Sequence, residues 1–175
     1  MTSRKKPQSR QVASLLEKVK LKRMVQIGVV VPDLEKTTRA LADLFGIDSF
    51  RFVKWPNRPN SKYYYRGVRR PIRISQAFVQ LGAVELELIQ PVAGRRNAYK
   101  EFLEQKGGGI HHVLFEVPNI DQALRLLAKS GITVLQAGTG IRPGTRWALL
   151  DTKDELGFLV ELRHRTGRSD GTSVS

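Results

Sequence analysis

Apolar and polar positions along residues 24–163 follow two periods in turn. Val25, Ile27, Val29 and Val31 alternate with Gln26, Gly28 and Val30, the two-residue period of a strand, and β-branched side chains favour it. After Pro32, Asp33 is a helix N-cap residue, Leu34, Leu41 and Leu44 fall at helical spacing, and Gly46 suits a C-cap. The same order returns downstream: a strand over 110–117, Pro118, the cap Asn119, then Ile120, Leu124, Leu127 and Ala128 on a helix ending near Gly131. The pattern predicts further strands near 49–54, 73–81 and 83–90 behind the first helix, and near 132–137, 145–150 and 157–163 behind the second. Residues 55–70, rich in Pro, Asn, Arg and Tyr, read as a mobile loop, and 97–105 as a connecting helix. Gly107-Gly108-Gly109 reads as a joint, since a phosphate-cradling glycine loop needs a helix after it and here a strand follows.

These segments are two copies of one unit. Gln26-Ile-Gly-Val-Val-Val-Pro-Asp matches His112-Val-Leu-Phe-Glu-Val-Pro-Asn at an offset of 86 residues. The predicted fold is therefore α+β, two βαβββ modules at 24–106 and 110–163. Opposite faces of each strand separate chemistry from packing. Val84, Leu86 and Leu88 oppose Glu85, Glu87 and Ile89; His111, Val113, Phe115 and Val117 oppose His112, Leu114 and Glu116; Phe158, Val160 and Leu162 oppose Leu159, Glu161 and Arg163. One face of each strand is apolar and suited to a helix, and the other carries an ionisable or amide group in mid-strand. Gln26, Glu87, His112 and Glu161 occupy equivalent places in pairs. An amide oxygen, two carboxylates and an imidazole form a donor set for a borderline divalent cation that leaves coordination positions open.

Composition narrows the chemistry. The 175 residues suffice for one domain with a real core, and no apolar run approaches the roughly 20 residues of a membrane span. No signal-peptide pattern follows the basic start, so the expected location is cytoplasmic. With no cysteine, thiolate nucleophiles, disulfides and Cys-ligated metals are excluded. The net charge of +14 is concentrated at the ends: residues 1–23 hold eight bases and one acid. That extension, with Val12, Leu15, Leu16 and Val19 at near-helical spacing, reads as a short basic amphipathic arm for solubility or docking. Nucleic-acid binding through it lacks any accompanying motif. Residues 164–175 read as a disordered tail.

Val29-Val-Val-Pro-Asp-Leu-Glu-Lys, Glu87-Leu-Ile-Gln-Pro91, Gly109-Ile-His-His-Val-Leu-Phe-Glu-Val-Pro118 and Gly157-Phe-Leu-Val-Glu161 resemble the vicinal oxygen chelate superfamily, which includes glyoxalase I-like and methylmalonyl-CoA epimerase-like branches. The resemblance spans about residues 24–163. It implies the glyoxalase/bleomycin resistance fold, a curled mixed sheet around a central divalent metal (Ni, Co, Zn or Mn) held by Gln26, Glu87, His112 and Glu161. His111 would then point into the helix-packed side or the module interface. It further implies an isomerase, epimerase or lyase that moves a proton next to a chelated carbonyl, with Glu161 as the base, and a homodimer. Two departures stand out. The epimerase-like branch carries His where this chain has Gln26, as glyoxalase I does not, and a carboxylate on an inner strand where the nearest residue here is Gln76, with Glu85 an alternative. Arg66, Arg70, Arg73 and Arg146, with Arg69 and Arg142 beside them, are the expected contacts to an anionic substrate, a CoA thioester or a glutathione adduct, because guanidinium groups suit carboxylate and phosphate. The competing reading is a metal-free small-molecule binding or resistance protein of the same fold.

Overall fold

The computed structural model describes residues 19, 21, 23–56, 60–92, 94 and 96–166. The strands are β1 (Met24–Val30), β2 (Arg51–Trp55), β3 (Tyr63–Tyr65), β4 (Val68–Arg69), β5 (Ile74–Leu81), β6 (Val84–Pro91), β7 (Gly109–Glu116), β8 (Val134–Thr139), β9 (Thr145–Leu150) and β10 (Leu159–Arg165). The helices are α1 (Leu34–Phe45), α2 (Ala98–Lys106), α3 (Ile120–Lys129) and the single turn α4 (Lys153–Leu156). The caps are those the sequence announces. Asp33 accepts from the Lys36 amide at 2.9 Å and Asn119 from the Gln122 amide at 3.0 Å, and Gly46 takes the left-handed conformation at φ 67°.

All ten strands form one mixed sheet in the order β2-β5-β6-β1-β7-β10-β9-β8-β3-β4. The pairs β1–β6 and β7–β10 are parallel, and the two modules meet antiparallel along β1–β7. The seam is two-fold symmetric in register. Gln26 pairs with Leu114 and Gly28 with His112, so the 86-residue offset exchanges the two pairs. Each strand at the seam also carries one extra residue outside the ladder, Val25 in β1 and His111 in β7, again at equivalent positions. On the helix-covered face α1 packs on Val29, Leu86 and Leu88, and α3 on Val113, Phe115, Val160 and Leu162. The opposite, concave face holds a third cluster built on Val30, Ile89, Leu149, Leu159 and Tyr99.

Two expectations change here. The loop expected at 55–70 contains β3 and β4, because Tyr63 and Tyr65 are buried while Tyr64 faces out, and β3 pairs antiparallel with β8. Part of the first module thereby extends the second module's sheet, with the Tyr63 ring lying where a side chain at Gly138 would be. Positions 164–166, counted with the disordered tail, are described: His164 and Arg165 end β10, and the Thr166 amide donates to the Gly144 carbonyl at 3.1 Å. The remaining tail and the basic arm lie outside the described residues, except Val19, Leu21 and Arg23. Val19 is buried in the α3–β10 cluster.

Candidate active site

A cleft of about 100 Å³ opens on the concave face, lined by Gln26, Gln76, Glu85, Glu87, Tyr99 and Glu161 among others. Register explains the convergence. Glu87 is the β6 partner of Gly28, and Gly28 is in turn the β7 partner of His112. Position 28 has no side chain, so the His112 ring lies across it: a Cβ there would meet the ring Cε1 at 2.0 Å and both ring nitrogens at 2.4 Å. The fully buried His112 thus reaches over the seam, and its Nε2 stands 3.4 Å from Glu87 Oε2 and 3.3 Å from Glu161 Oε2.

The symmetry-related reach is blocked. Glu161 pairs with Leu114, the counterpart of Gly28, and Leu114 carries a buried side chain where His112 has free passage. Gln26 turns instead to its own register partner and donates from Nε2 to Glu85 Oε1 at 2.6 Å. Of the four residues singled out in the sequence, Glu87, His112 and Glu161 come together, while Gln26 lines the same cleft but is engaged elsewhere. Gln76 donates its amide to Glu87 Oε1.

The electrostatics follow from burial. Glu161 is pushed up from 4.5 to about 7, first by burial, with the His112 charge opposing and the Glu87 charge reinforcing. Burial pulls His112 down, but Glu161 and then Glu87 outweigh it and hold its ring above the ordinary imidazole value. His111 is held well below that value by burial and then by the charge of His112. The Tyr99 hydroxyl is kept protonated well above the usual phenol range by burial and by the charges of Glu161 and Glu87.

Among the described residues, no group of three or more His, Asp or Glu side chains is arranged as a metal-binding cluster. The donor chemistry nevertheless fits a divalent ion at one point. His112 Nε2 is a buried polar atom with no hydrogen-bond partner among the described residues, and it faces two carboxylate oxygens. Adjacent ligands about 2.1 Å from a first-row cation stand about 3.0–3.4 Å apart, the spacing seen here.

Apart from Arg142, the arginines expected to meet substrate lie elsewhere. Arg66 donates to the Tyr65 hydroxyl at 3.1 Å and to Glu101, beside a separate cavity. Arg146 forms a two-pronged pair with Asp121 at 2.8 and 2.9 Å. Arg73 is exposed between the cleft-lining Ile72 and Ile74, and the Arg70 amide is taken up by the Tyr63 carbonyl. The arginines that line the cleft are Arg51, Arg142, Arg163 and Arg165. Arg163 and Arg165 share Glu116 at 3.2 and 3.3 Å. Their signal was parity: both lie on the same strand face as Glu161. The sequence placed His111 opposite His112, with Val113 and Phe115. The extra residue in the ladder removes it from that face, and its ring packs against Tyr99 and Phe102, each centroid 5.0 Å away.

A mixed sheet curled around a cleft, built from two βαβββ copies with carboxylate and imidazole donors at the seam, defines a class of protein. A family model described as the Glyoxalase/Bleomycin resistance protein/Dioxygenase superfamily matches residues 25–148, and the chain belongs to that superfamily. Within it, the chain is 35% identical to the mitochondrial methylmalonyl-CoA epimerase of Mus musculus over 82% of its own length and 73% of the relative's, and 33% identical to that of Homo sapiens over 81% and 73%. Among solved structures it superposes on a variant of the Streptomyces coelicolor methylmalonyl-CoA epimerase in complex with 2-nitronate-propionyl-CoA, with a TM-score of 0.61, 24% identity, and 83% and 99% of the two chains covered. For the methylmalonyl-CoA epimerase of Mycobacterium tuberculosis the values are 0.59, 22%, 83% and 89%. At these identities the structural likeness is one of fold.

Proposed function

We propose that this chain moves the proton on the carbon next to the carbonyl of an anionic acyl-CoA thioester, as an epimerase-like isomerase. The observation that carries the reading is the meeting of His112 Nε2 with the Glu87 and Glu161 carboxylates under an open cleft. The epimerase relatives support the substrate class. A divalent metal held by Glu87, His112 and Glu161, with Gln26 completing the set after turning from Glu85, would supply a Lewis acid for the thioester oxygen. Glu161 is the base. Its proton affinity near neutrality lets it take a proton and return it at comparable cost. Tyr99, protonated at the cleft wall, is a hydrogen-bond donor to developing negative charge. Arg51 and Arg142 favour an acidic substrate at the cleft rim.

The second proton carrier of a two-base epimerase has no obvious occupant. Gln76 has no proton to transfer, and its amide is spent on Glu87. Glu85 is the remaining carboxylate in the cleft and the candidate second proton carrier, since a proton that leaves and returns on one face would exchange without epimerisation. The homodimer belongs to the same proposal, supported by the exposed Leu44, Phe45 and Phe52 at the end of α1 and on edge strand β2. The functional reading is tested by incubating chirally pure methylmalonyl-CoA in deuterated water with protein loaded separately with nickel, cobalt, zinc or manganese, beside a glutathione hemithioacetal. Deuterium at the α-carbon with inversion supports epimerisation, whereas deuterium with retention alone shows proton abstraction on one face and rejects the epimerase reading. Turnover of the hemithioacetal alone moves the substrate to the thiol-adduct class, and no exchange by any loaded form rejects the proton-transfer reading.

A further inference from the structure

His111 and His112 are consecutive, yet their Nδ1 atoms stand 3.1 Å apart in a buried contact. Neighbouring strand residues ordinarily face opposite ways. The contact exists because His111 is the extra residue of β7: Gly28 pairs with His112 and Val29 with Ile110, which swings His111 off the α3 face and under α2. Two buried ring nitrogens at this distance need one proton between them, since two N–H groups or two lone pairs would repel. His112 Nε2 faces the Glu87 and Glu161 oxygens at 3.4 and 3.3 Å, which leaves Nδ1 as the ring atom turned to His111. His111 is wedged between Tyr99 and Phe102. The repeat supplies an internal control, because the equivalent extra residue in β1 is Val25, beside Gln26. An amide has no tautomer to fix and has an apolar neighbour there, whereas the imidazole has a neighbour able to accept.

We infer that His111 is a positioning residue whose Nδ1 accepts the Nδ1–H of His112, fixing the tautomer and ring orientation that direct Nε2 at Glu87 and Glu161. Ligating histidines commonly donate the second ring N–H to a carboxylate or carbonyl. Here the acceptor is a neutral ring, which orients His112 without adding negative charge to a site that already holds two carboxylates. The remaining His111 proton sits on Nε2; the Ala98 backbone also engages this ring, and the ring lines a second, polar-rimmed cavity of about 80 Å³, large enough for water.

The test needs no substrate. Long-range proton–nitrogen NMR of the metal-free wild-type protein should show His112 Nδ1 protonated and His111 Nδ1 unprotonated. His111→Asn, whose side-chain oxygen can replace the acceptor, should keep the proton on His112 Nδ1. His111→Phe should move the proton of neutral His112 to Nε2 and weaken cobalt(II) binding, measured by equilibrium dialysis, about 10–100-fold, with most of the loss restored in His111→Asn. A proton on His111 Nδ1 in the wild type overturns the inference, as does cobalt binding in His111→Phe equal to wild type. If His111→Phe fails to fold, the wild-type spectrum and His111→Asn still decide. The inference draws only its consequence from the proposed function: a reversed hydrogen bond beside normal α-proton exchange sinks this inference alone, and a correct one without exchange sinks only the proposed function.

Discussion

Replacing Gly28 by alanine adds one methyl group at the seam between the modules, and the structure gives the size of the effect. The new carbon would lie 2.0 Å from His112 Cε1 and 2.4 Å from Nδ1 and Nε2. Carbon atoms in contact stand about 3.5–4.0 Å apart, so the ring must retreat by roughly 1.5 Å. That displacement exceeds what the contacts of 3.1 to 3.4 Å with His111, Glu87 and Glu161 can absorb. Overpacking costs about 1–3 kcal/mol and a lost buried hydrogen bond about 1 kcal/mol more. Alanine returns about 0.5–1 kcal/mol over glycine in a strand. The expected net loss is about 2 kcal/mol. Urea unfolding followed by the fluorescence of Trp55 and Trp147, both on the cleft wall, measures it. In a His112→Ala background the ring that collides is gone, and Gly28→Ala should be neutral or stabilising. The double-mutant cycle should therefore give a coupling energy of about 2 kcal/mol. A wild-type midpoint for Gly28→Ala, with no coupling to His112, would refute the placement of the ring.

Glu161 gives a pH prediction. Its folded-state value, about 7, lies above the ordinary 4.5, so its contribution to stability is complete below 4.5 and is lost as pH rises through about 7. The unfolding free energy of metal-free wild type, measured against Glu161→Gln, should fall between about pH 5 and about pH 8; a flat difference contradicts the burial argument. Glu101 has the opposite sign. The Tyr65 hydroxyl, opposed by burial and helped by Arg66 and Arg96, holds it below the usual carboxylate range, so its contribution is present above 4.5 and is lost as pH falls through the lowered value. Glu101→Gln should cost about 1 kcal/mol at neutral pH, with the gap closing in acid, as thermal melts would register. Arg142→Ala should raise KM for an acidic thioester about fivefold while leaving Tm unchanged, because the side chain is exposed at the cleft; an unchanged KM would remove Arg142 from substrate binding.

Much of this arrangement was readable from period and repetition. Alternation assigned Glu87, His112 and Glu161 to the face away from the helices, and the repeat linked Gln26 to His112 before any register was known. What the pattern lacked was the register itself. That Gly28 and Leu114 are the residues the two reaching side chains must cross depends on β1 pairing antiparallel with β7, and this decides why His112 arrives and Gln26 turns to Glu85. Of the two places open to His111, strict alternation favoured the α3 face, but one extra residue in the ladder reverses the face of its side chain and leaves it at the seam between the modules. The arginines were weighed by their place in the 55–70 loop and in its counterpart in the second module, which holds Arg142 and Arg146; of these, Arg142 lines the cleft. Those at the cleft are isolated residues on strands or turns, brought together by curvature that no local window contains. The tyrosine run at 63–65 had strand alternation, but its partner, β8, lies more than 70 residues away.

The central claim is that Glu87, His112 and Glu161 act as one site for a divalent ion. An anomalous difference map at the cobalt absorption edge, from crystals of the chain grown with cobalt(II), tests it most directly. The expected result is a single strong peak bounded by Glu87 Oε2, His112 Nε2 and Glu161 Oε2, lost in His112→Ala crystals. A peak elsewhere, or none between these three side chains at saturating cobalt, would contradict it.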